Sequence, residues 1–247
     1  MRRSAIIGGV CLLAACATLP EPDPRDVEAL FRAAKAAYEK KDDMLAQKWL
    51  ELIRTQHPAS QYADDALFLL AELRFRRGEY VMAAFLYQQL RQAYPQSPYA
   101  RQALYQTGRA YMELSPPYDR DQEYTHKALA ALNEFRQLYP GDSLLPAVEK
   151  HIHQLRNKLA QREYAIAELY RKLHSPQSAL IYYDGILQEY ADTDFAELAW
   201  VGKIRTLLEL GRMDEAQQAI QTYRRLFPNG AQRQVVEAFA ARLDNGR

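Results

Sequence analysis

Two histidines, His151 and His153, stand two residues apart, and the run Asp119-Arg120-Asp121-Gln122-Glu123 opens like a calcium loop. Metal chemistry would have to come from these side chains. Two positions along a helix are about 200° apart around its axis, so His151 and His153 diverge, whereas an i, i+4 pair would be needed to grip one zinc ion. A calcium loop needs glycine at its sixth position and glutamate at its twelfth; Tyr124 and Ala130 stand there instead. No glycine-rich phosphate loop and no nucleophile elbow occurs in the sequence. These residues predict a protein that is not an enzyme and that needs no metal and no cofactor. A lipid-anchored hydrolase or enzyme accessory would call for converging titratable side chains, and the sequence offers none.

One cysteine does suggest chemistry. Cys11 and Cys16 are the only cysteines and both lie in the leader, so no disulfide staples the rest of the chain. Arg2 and Arg3 precede an uncharged stretch from Ala5 to Ala15 that is too short to cross a bilayer, which takes about 20 residues. It ends in Leu13-Ala14-Ala15-Cys16, which resembles the lipobox of bacterial lipoproteins. The expectation is a signal peptide over residues 1–15, with a diacylglyceryl group on the Cys16 sulfur after cleavage. A plain secretory signal cut at a small residue is the other reading. Residues 16–25 then form a spacer with proline at 20, 22 and 24, extended over roughly 25 Å at about 3.1 Å per residue. Ala17, where an aspartate retains Gram-negative lipoproteins at the inner membrane, favours the outer one.

The remaining segment, 26–247, must fold without that help. The whole chain of 247 residues balances 32 lysines and arginines against 31 acids, and without Arg2 and Arg3 the count is 30 against 31. That leaves no excess charge to neutralise phosphates, which excludes nucleic acid as a natural partner. Alanine, leucine, glutamine, glutamate, lysine and arginine dominate between short breaks, so the segment reads as all-helical. The breaks recur as His57-Pro58, Tyr94-Pro95, Tyr139-Pro140, Tyr190-Ala191 and Phe227-Pro228. Twelve residues before each stands an alanine: Ala46, Ala83, Ala128, Ala179 and Ala216. Eight before stand Leu50, Tyr87, Leu132, Tyr183 and Ile220; five before stand Ile53, Leu90, Phe135, Ile186 and Tyr223. Offsets of 5, 8 and 12 share one helix face, with the alanine where a neighbouring helix comes close.

This pattern resembles the second helix of a tetratricopeptide repeat, a helix pair of about 34 residues. The fold expected is an all-α, right-handed superhelical solenoid of five such pairs, capped by a C-terminal helix over Gln232–Leu243. Turn glycines followed by the repeat helix appear at Gly78 and Gly211. The third pair is interrupted at Ser115–Gln122, where Pro116 and Pro117 forbid helix and predict a surface loop. Between Pro146 and Pro176 there is no proline or glycine, so the extra residues there lengthen one helix to about 28 residues, roughly 42 Å. The 17 tyrosines are mostly repeat-core residues, as Tyr87 and Tyr183 must be, while Tyr62, Tyr99 and Tyr118 in loops are candidates to line a peptide groove.

Lipobox, spacer, five repeats and an insertion in the third together resemble the BamD family, the lipoprotein subunit of the machinery that folds β-barrel proteins into the outer membrane. The motif residues are Asp119-Arg120-Asp121-Gln122, Thr125, Ala128-Leu129, Phe135, Tyr139-Pro140 and the stretch Leu159–Tyr170. The resemblance implies a lipid-anchored scaffold on the periplasmic face of the outer membrane, bound to the periplasmic domains of the β-barrel subunit, to accessory lipoproteins and to unfolded outer-membrane proteins. It points to Asp119, Arg120, Asp121, Gln122 and Tyr182 as partner-binding residues. The chain departs from the family at His174-Ser175-Pro176, where a glycine turn is usual, and at Ala191, where a proline is usual. It departs again at Tyr182, where some members carry a docking arginine. A periplasmic tetratricopeptide adaptor for division or peptidoglycan synthesis is the alternative, although such adaptors normally lack both the lipobox and the insertion.

Overall fold

The computed structural model describes residues 21–245; the signal segment 1–15, Cys16 and the start of the spacer lie outside the described residues. Eleven helices and no strand occur among the described residues. They are α1 (Val27–Glu39), α2 (Asp43–Gln56), α3 (Ala63–Arg76), α4 (Tyr80–Ala93), α5 (Ala100–Leu114), α6 (Glu123–Leu138), α7 (Leu145–Lys172), α8 (Pro176–Glu189), α9 (Phe195–Glu209), α10 (Met213–Leu226) and α11 (Arg233–Asn245). In chain order these are five pairs and a terminal helix, as the repeat count requires.

The chain divides within α3 into two compact units, residues 1–69 and 70–247. In the first, α1 turns Leu30, Ala34 and Ala37 inward and packs on α2. Asp26 and Asp42 start these helices by accepting the amide hydrogens of Ala29 and Leu45, at 2.9 and 3.1 Å. In the second unit three apolar cores follow one another along the chain. Leu104, Leu132 and Phe135 meet Val148, Ile152 and Leu155 from the first half of α7. Ala167 from its second half packs with Ala179, Tyr183, Ile186 and Ala199. Ile204, Leu207, Ile220, Tyr223, Val236 and Leu243 close the C-terminal end, so α11 covers the last pair.

The repeat register is borne out at every position read from the sequence: Ala46, Ala83, Ala128, Ala179 and Ala216 are each 0% exposed. The residues eight and five before each break are buried as well. Each break is a helix C-cap with φ between −131° and −124°. Its amide donates to the carbonyl four residues back at 2.8–2.9 Å, and its own carbonyl accepts from the residue three further on at 3.0–3.1 Å. Proline after the cap favours this extended φ in the residue before it. Tyr190 adopts the same geometry with Ala191 behind it. That turn is held from outside: Arg156 on α7 donates to the Glu189 carbonyl at 2.5 Å and to Asp192 at 2.8 Å, while Asn157 and Asp194 exchange two hydrogen bonds of 2.8 and 2.9 Å. Two side chains of α7 thus hold the one turn that lacks the proline.

Within four of the five pairs the two helices are joined by one recurring backbone turn. Lys41, Gly78, His174 and Gly211 sit in the left-handed region at φ 60°, 76°, 57° and 73°. The next amide in each case reaches the carbonyl five residues back: Asp42 to Ala37, Glu79 to Arg74, Ser175 to Tyr170 and Arg212 to Leu207, at 2.9–3.0 Å. This is the Schellman closure, in which glycine is favoured because a Cβ is strained at positive φ. His174 therefore makes the same turn as Gly78 and Gly211 without a glycine, at a conformational cost. His174→Gly is expected to raise stability by about 0.5–1 kcal/mol, because relief of that strain outweighs the added freedom of the unfolded chain. A urea titration with unchanged slope and a higher midpoint would show it, and a lower midpoint would contradict it.

Candidate functional site

The third pair lacks the Schellman turn, and residues 115–122 replace it as the predicted loop. Side chains do there what backbone does elsewhere. Lys158 on α7 donates to the Ser115 hydroxyl at 2.7 Å and to its carbonyl at 3.2 Å. Ser115 and Thr125 share a hydrogen bond of 2.5 Å, Thr125 donates to Gln122 Oε1 at 2.7 Å, and Gln122 Nε2 donates to the Pro117 and Arg120 carbonyls at 2.8 and 3.0 Å. Arg162, one turn beyond Lys158, donates to the Arg120 carbonyl at 2.6 Å. Burial pulls the Lys158 ammonium below the usual lysine range. The chain of donors runs in one direction, from α7 into the loop.

The sequence-predicted residues therefore separate into two groups. Gln122 is only 5% exposed and locks the loop from inside, and Asp121 caps α6 by accepting the Glu123 amide at 2.9 Å. Asp119 and Arg120 have exposed side chains held out on a braced backbone. Tyr182, the fifth candidate, lies on α8 and stacks on Tyr170 of α7, with ring centroids 5.4 Å apart and 19° between planes. Burial and the Tyr170 hydroxyl push its phenol above the ordinary range, so it stays protonated at neutral pH.

The long helix touches both places, the loop through Lys158 and Arg162 and Tyr182 through Tyr170. Lys158, Arg162, Ile166, Leu169 and Tyr170 fall within an arc of about 120° around α7, given 100° per residue, and the buried Leu159 lies in the same arc. Leu169 and Leu173 are 54% and 64% exposed, and Ile181, beside Tyr182, is 70% exposed. Sequence reasoning missed these exposed apolar side chains. The signal was present, since Ile181 lies two residues past Ala179 and so off the buried face.

Within the same helix pair, Tyr183 donates to Glu168 at 2.5 Å, and Arg171 holds the same carboxylate at 3.0 Å. Tyr223 makes the analogous bond to Glu197 at 2.6 Å. Burial pushes the Glu168 carboxyl up, and the Tyr183 hydroxyl and Arg171 outweigh that and hold it below its usual value. Tyr62 precedes α3 and stacks on Phe31 at 4.9 Å, Tyr99 precedes α5, and Tyr118 lies in the insertion. His151 stacks on Tyr105 with 5.9 Å between centroids, while His153 is half-exposed. No group of three or more histidine, cysteine or acidic side chains able to hold a metal occurs among the described residues. The Asp119 run cannot wrap a calcium ion, because α6 begins at Glu123.

Five helix pairs closed by shared turns, with one pair opened into a braced loop, define a tetratricopeptide-like repeat protein. The chain belongs to the YfiO family, described as outer membrane lipoprotein, which matches residues 23–222. It is similar to the outer membrane protein assembly factor BamD of Caulobacter vibrioides, with 28% identity over 144 residues. That match covers 58% of this chain and 46% of the relative, so it spans just under half of the relative's length. Among solved structures it is similar to the MamA protein, at 14% identity and TM-score 0.38 over 83% of this chain and 94% of the other. It is also similar to a tetratricopeptide repeat protein of Parabacteroides merdae, at 18% identity and TM-score 0.39 over 88% and 72%.

Proposed function

We infer that this protein is a lipid-anchored scaffold of outer-membrane protein assembly, standing on the periplasmic face of the outer membrane and holding the periplasmic domains of the β-barrel subunit. The family membership and the resemblance to an assembly factor support the setting. The observation that carries the docking role is the exposure of two sets of side chains tied to α7, Asp119 and Arg120 on the loop it braces, and Leu169, Leu173 and Ile181 around the Tyr170–Tyr182 stack. A braced polar loop and exposed apolar side chains suit a protein surface, because little ordering entropy is lost on binding and the apolar groups supply affinity. Charge on Asp119 and Arg120 sets register and on-rate more than affinity. The first two pairs are left to unfolded outer-membrane proteins and accessory lipoproteins. Cys16 supplies the anchor in this reading.

The test is affinity purification of the full chain from detergent-solubilised envelope, with captured proteins identified by mass. A large β-barrel protein should copurify, and Ile181→Glu should cut its recovery at least tenfold, since it places a charge among those apolar groups. Arg120→Glu should weaken recovery by several-fold and change its salt dependence. Undiminished recovery with Ile181→Glu would contradict the docking face, and capture of peptidoglycan or division enzymes in place of the barrel would favour the adaptor reading.

A further inference from the structure

The C-terminal end of the second unit holds a pocket of about 550 Å3 between the last turns of α9, the start of α10 and the last turns of α11. Leu208, Met213 and Phe239 contribute apolar lining, and Met213 is 45% exposed. Arg205, Glu209 and Arg242 supply the charged groups of the lining. Several arginines among the described residues are tied closely to carboxylates, as Arg212 is to Glu215 at 2.6 Å and Arg224 to Glu237 at 3.0 Å. The pocket arginines differ. The Arg242 side chain has no ion pair or hydrogen bond to another described side chain, and Arg205 comes no closer than 4.0 Å to Glu168. Glu209 is likewise only loosely paired, 3.8 Å from Arg171.

We propose that this pocket binds an extended acidic-apolar peptide segment of a partner protein, seating a large apolar side chain between Met213 and Phe239 with flanking carboxylates on Arg205 and Arg242. The volume lies in the range of ligand-binding pockets, and guanidiniums left without close partners are ready to form charge-assisted bonds to carboxylates. Glu209 decides between a peptide and a phosphate-bearing amphiphile. Its carboxylate repels a phosphate, whereas a peptide can offer it backbone amide hydrogens while its own carboxylates reach the arginines. None of these residues belongs to the α7 docking face, so the two sites can fail separately.

The test is fluorescence anisotropy of the full chain in detergent, using a labelled peptide of alternating glutamate and phenylalanine. A second peptide carries lysine in place of glutamate, and dodecyl phosphate serves as competitor. Saturable binding of the acidic peptide is expected, weakening as salt rises, with little binding of the lysine peptide. Arg242→Glu and Met213→Glu should each weaken binding at least tenfold. Both positions are exposed, and a melting curve matching the parent shows that the variants fold. Equal binding of the two peptides, or unchanged affinity in Arg242→Glu, would overturn the proposal. Displacement by dodecyl phosphate at concentrations below the peptide's own would overturn it in favour of an anionic amphiphile.

Discussion

Gly202→Ala is expected to lower the stability of the second unit by about 2–3 kcal/mol, although alanine is the better helix former by about 1 kcal/mol. A Cβ at Gly202 would stand 2.3 and 2.4 Å from two ring carbons of Tyr183, well inside contact distance. That ring cannot step aside. It is 0% exposed, it packs among Ala167, Ala179, Ile186 and Ala199, and its hydroxyl is bound to Glu168. For a unit of this size the loss corresponds to roughly 4–12 °C in melting temperature. Gly185→Ala is the control on the neighbouring helix, because nothing lies within 4 Å of its added carbon and the propensity gain should appear there undiluted. Equal melting temperatures for Gly202→Ala and the parent would contradict the packing described for Tyr183.

Cys16→Ser should release the protein from membranes almost completely. Among the described residues no helix is long and apolar enough to cross a bilayer, so attachment in this reading rests on acyl chains. One such chain anchors only marginally, while two or more hold a protein in the bilayer stably, and the serine side chain offers no thiol for the first transfer. Fractionation of envelope after a carbonate wash measures the effect. A serine variant that remains in the pellet would remove the lipid anchor from the proposed function.

The sequence made the register legible because that register obeys a local rule. A small residue recurring twelve before each stop reports a close helix approach, and Ala46, Ala83, Ala128, Ala179 and Ala216 are all buried for that reason. The loop at 115–122 and the 28-residue α7 were equally open to reading, since proline and its absence act on the nearest few residues. What stayed hidden depends on partners distant in the chain. Gln122 sits in a loop motif with the look of an exposed polar residue, yet its amide is turned inward to the Pro117 and Arg120 carbonyls, the second of which Arg162 also holds from α7. The hydroxyl bonds of Tyr87 to Glu72 and Tyr183 to Glu168 join one helix to the one before it, and nothing in either residue's immediate neighbours announces them. The left-handed backbone of His174 was hidden for a related reason. Glycine marks that conformation at Gly78 and Gly211, but the hydrogen bonds that impose it come from backbone and are blind to the side chain.

The length of α7 has a consequence for how the array comes apart. Repeat proteins behave as one-dimensional chains of units, each held by its neighbours, and they open first at the weakest seam. Here the seam between the third and fourth pairs is bridged by uninterrupted helix: Val148, Ile152 and Leu155 belong to the core before it, and Ala167 belongs to the core after it. Separating those pairs would require breaking a helix of 28 residues in its middle, beyond the usual peeling of one packed face from another. The third and fourth pairs are thereby joined into one cooperative block. A pull on the Asp119 loop reaches Tyr182 as it would along a strut, with no hinge between them to absorb the load.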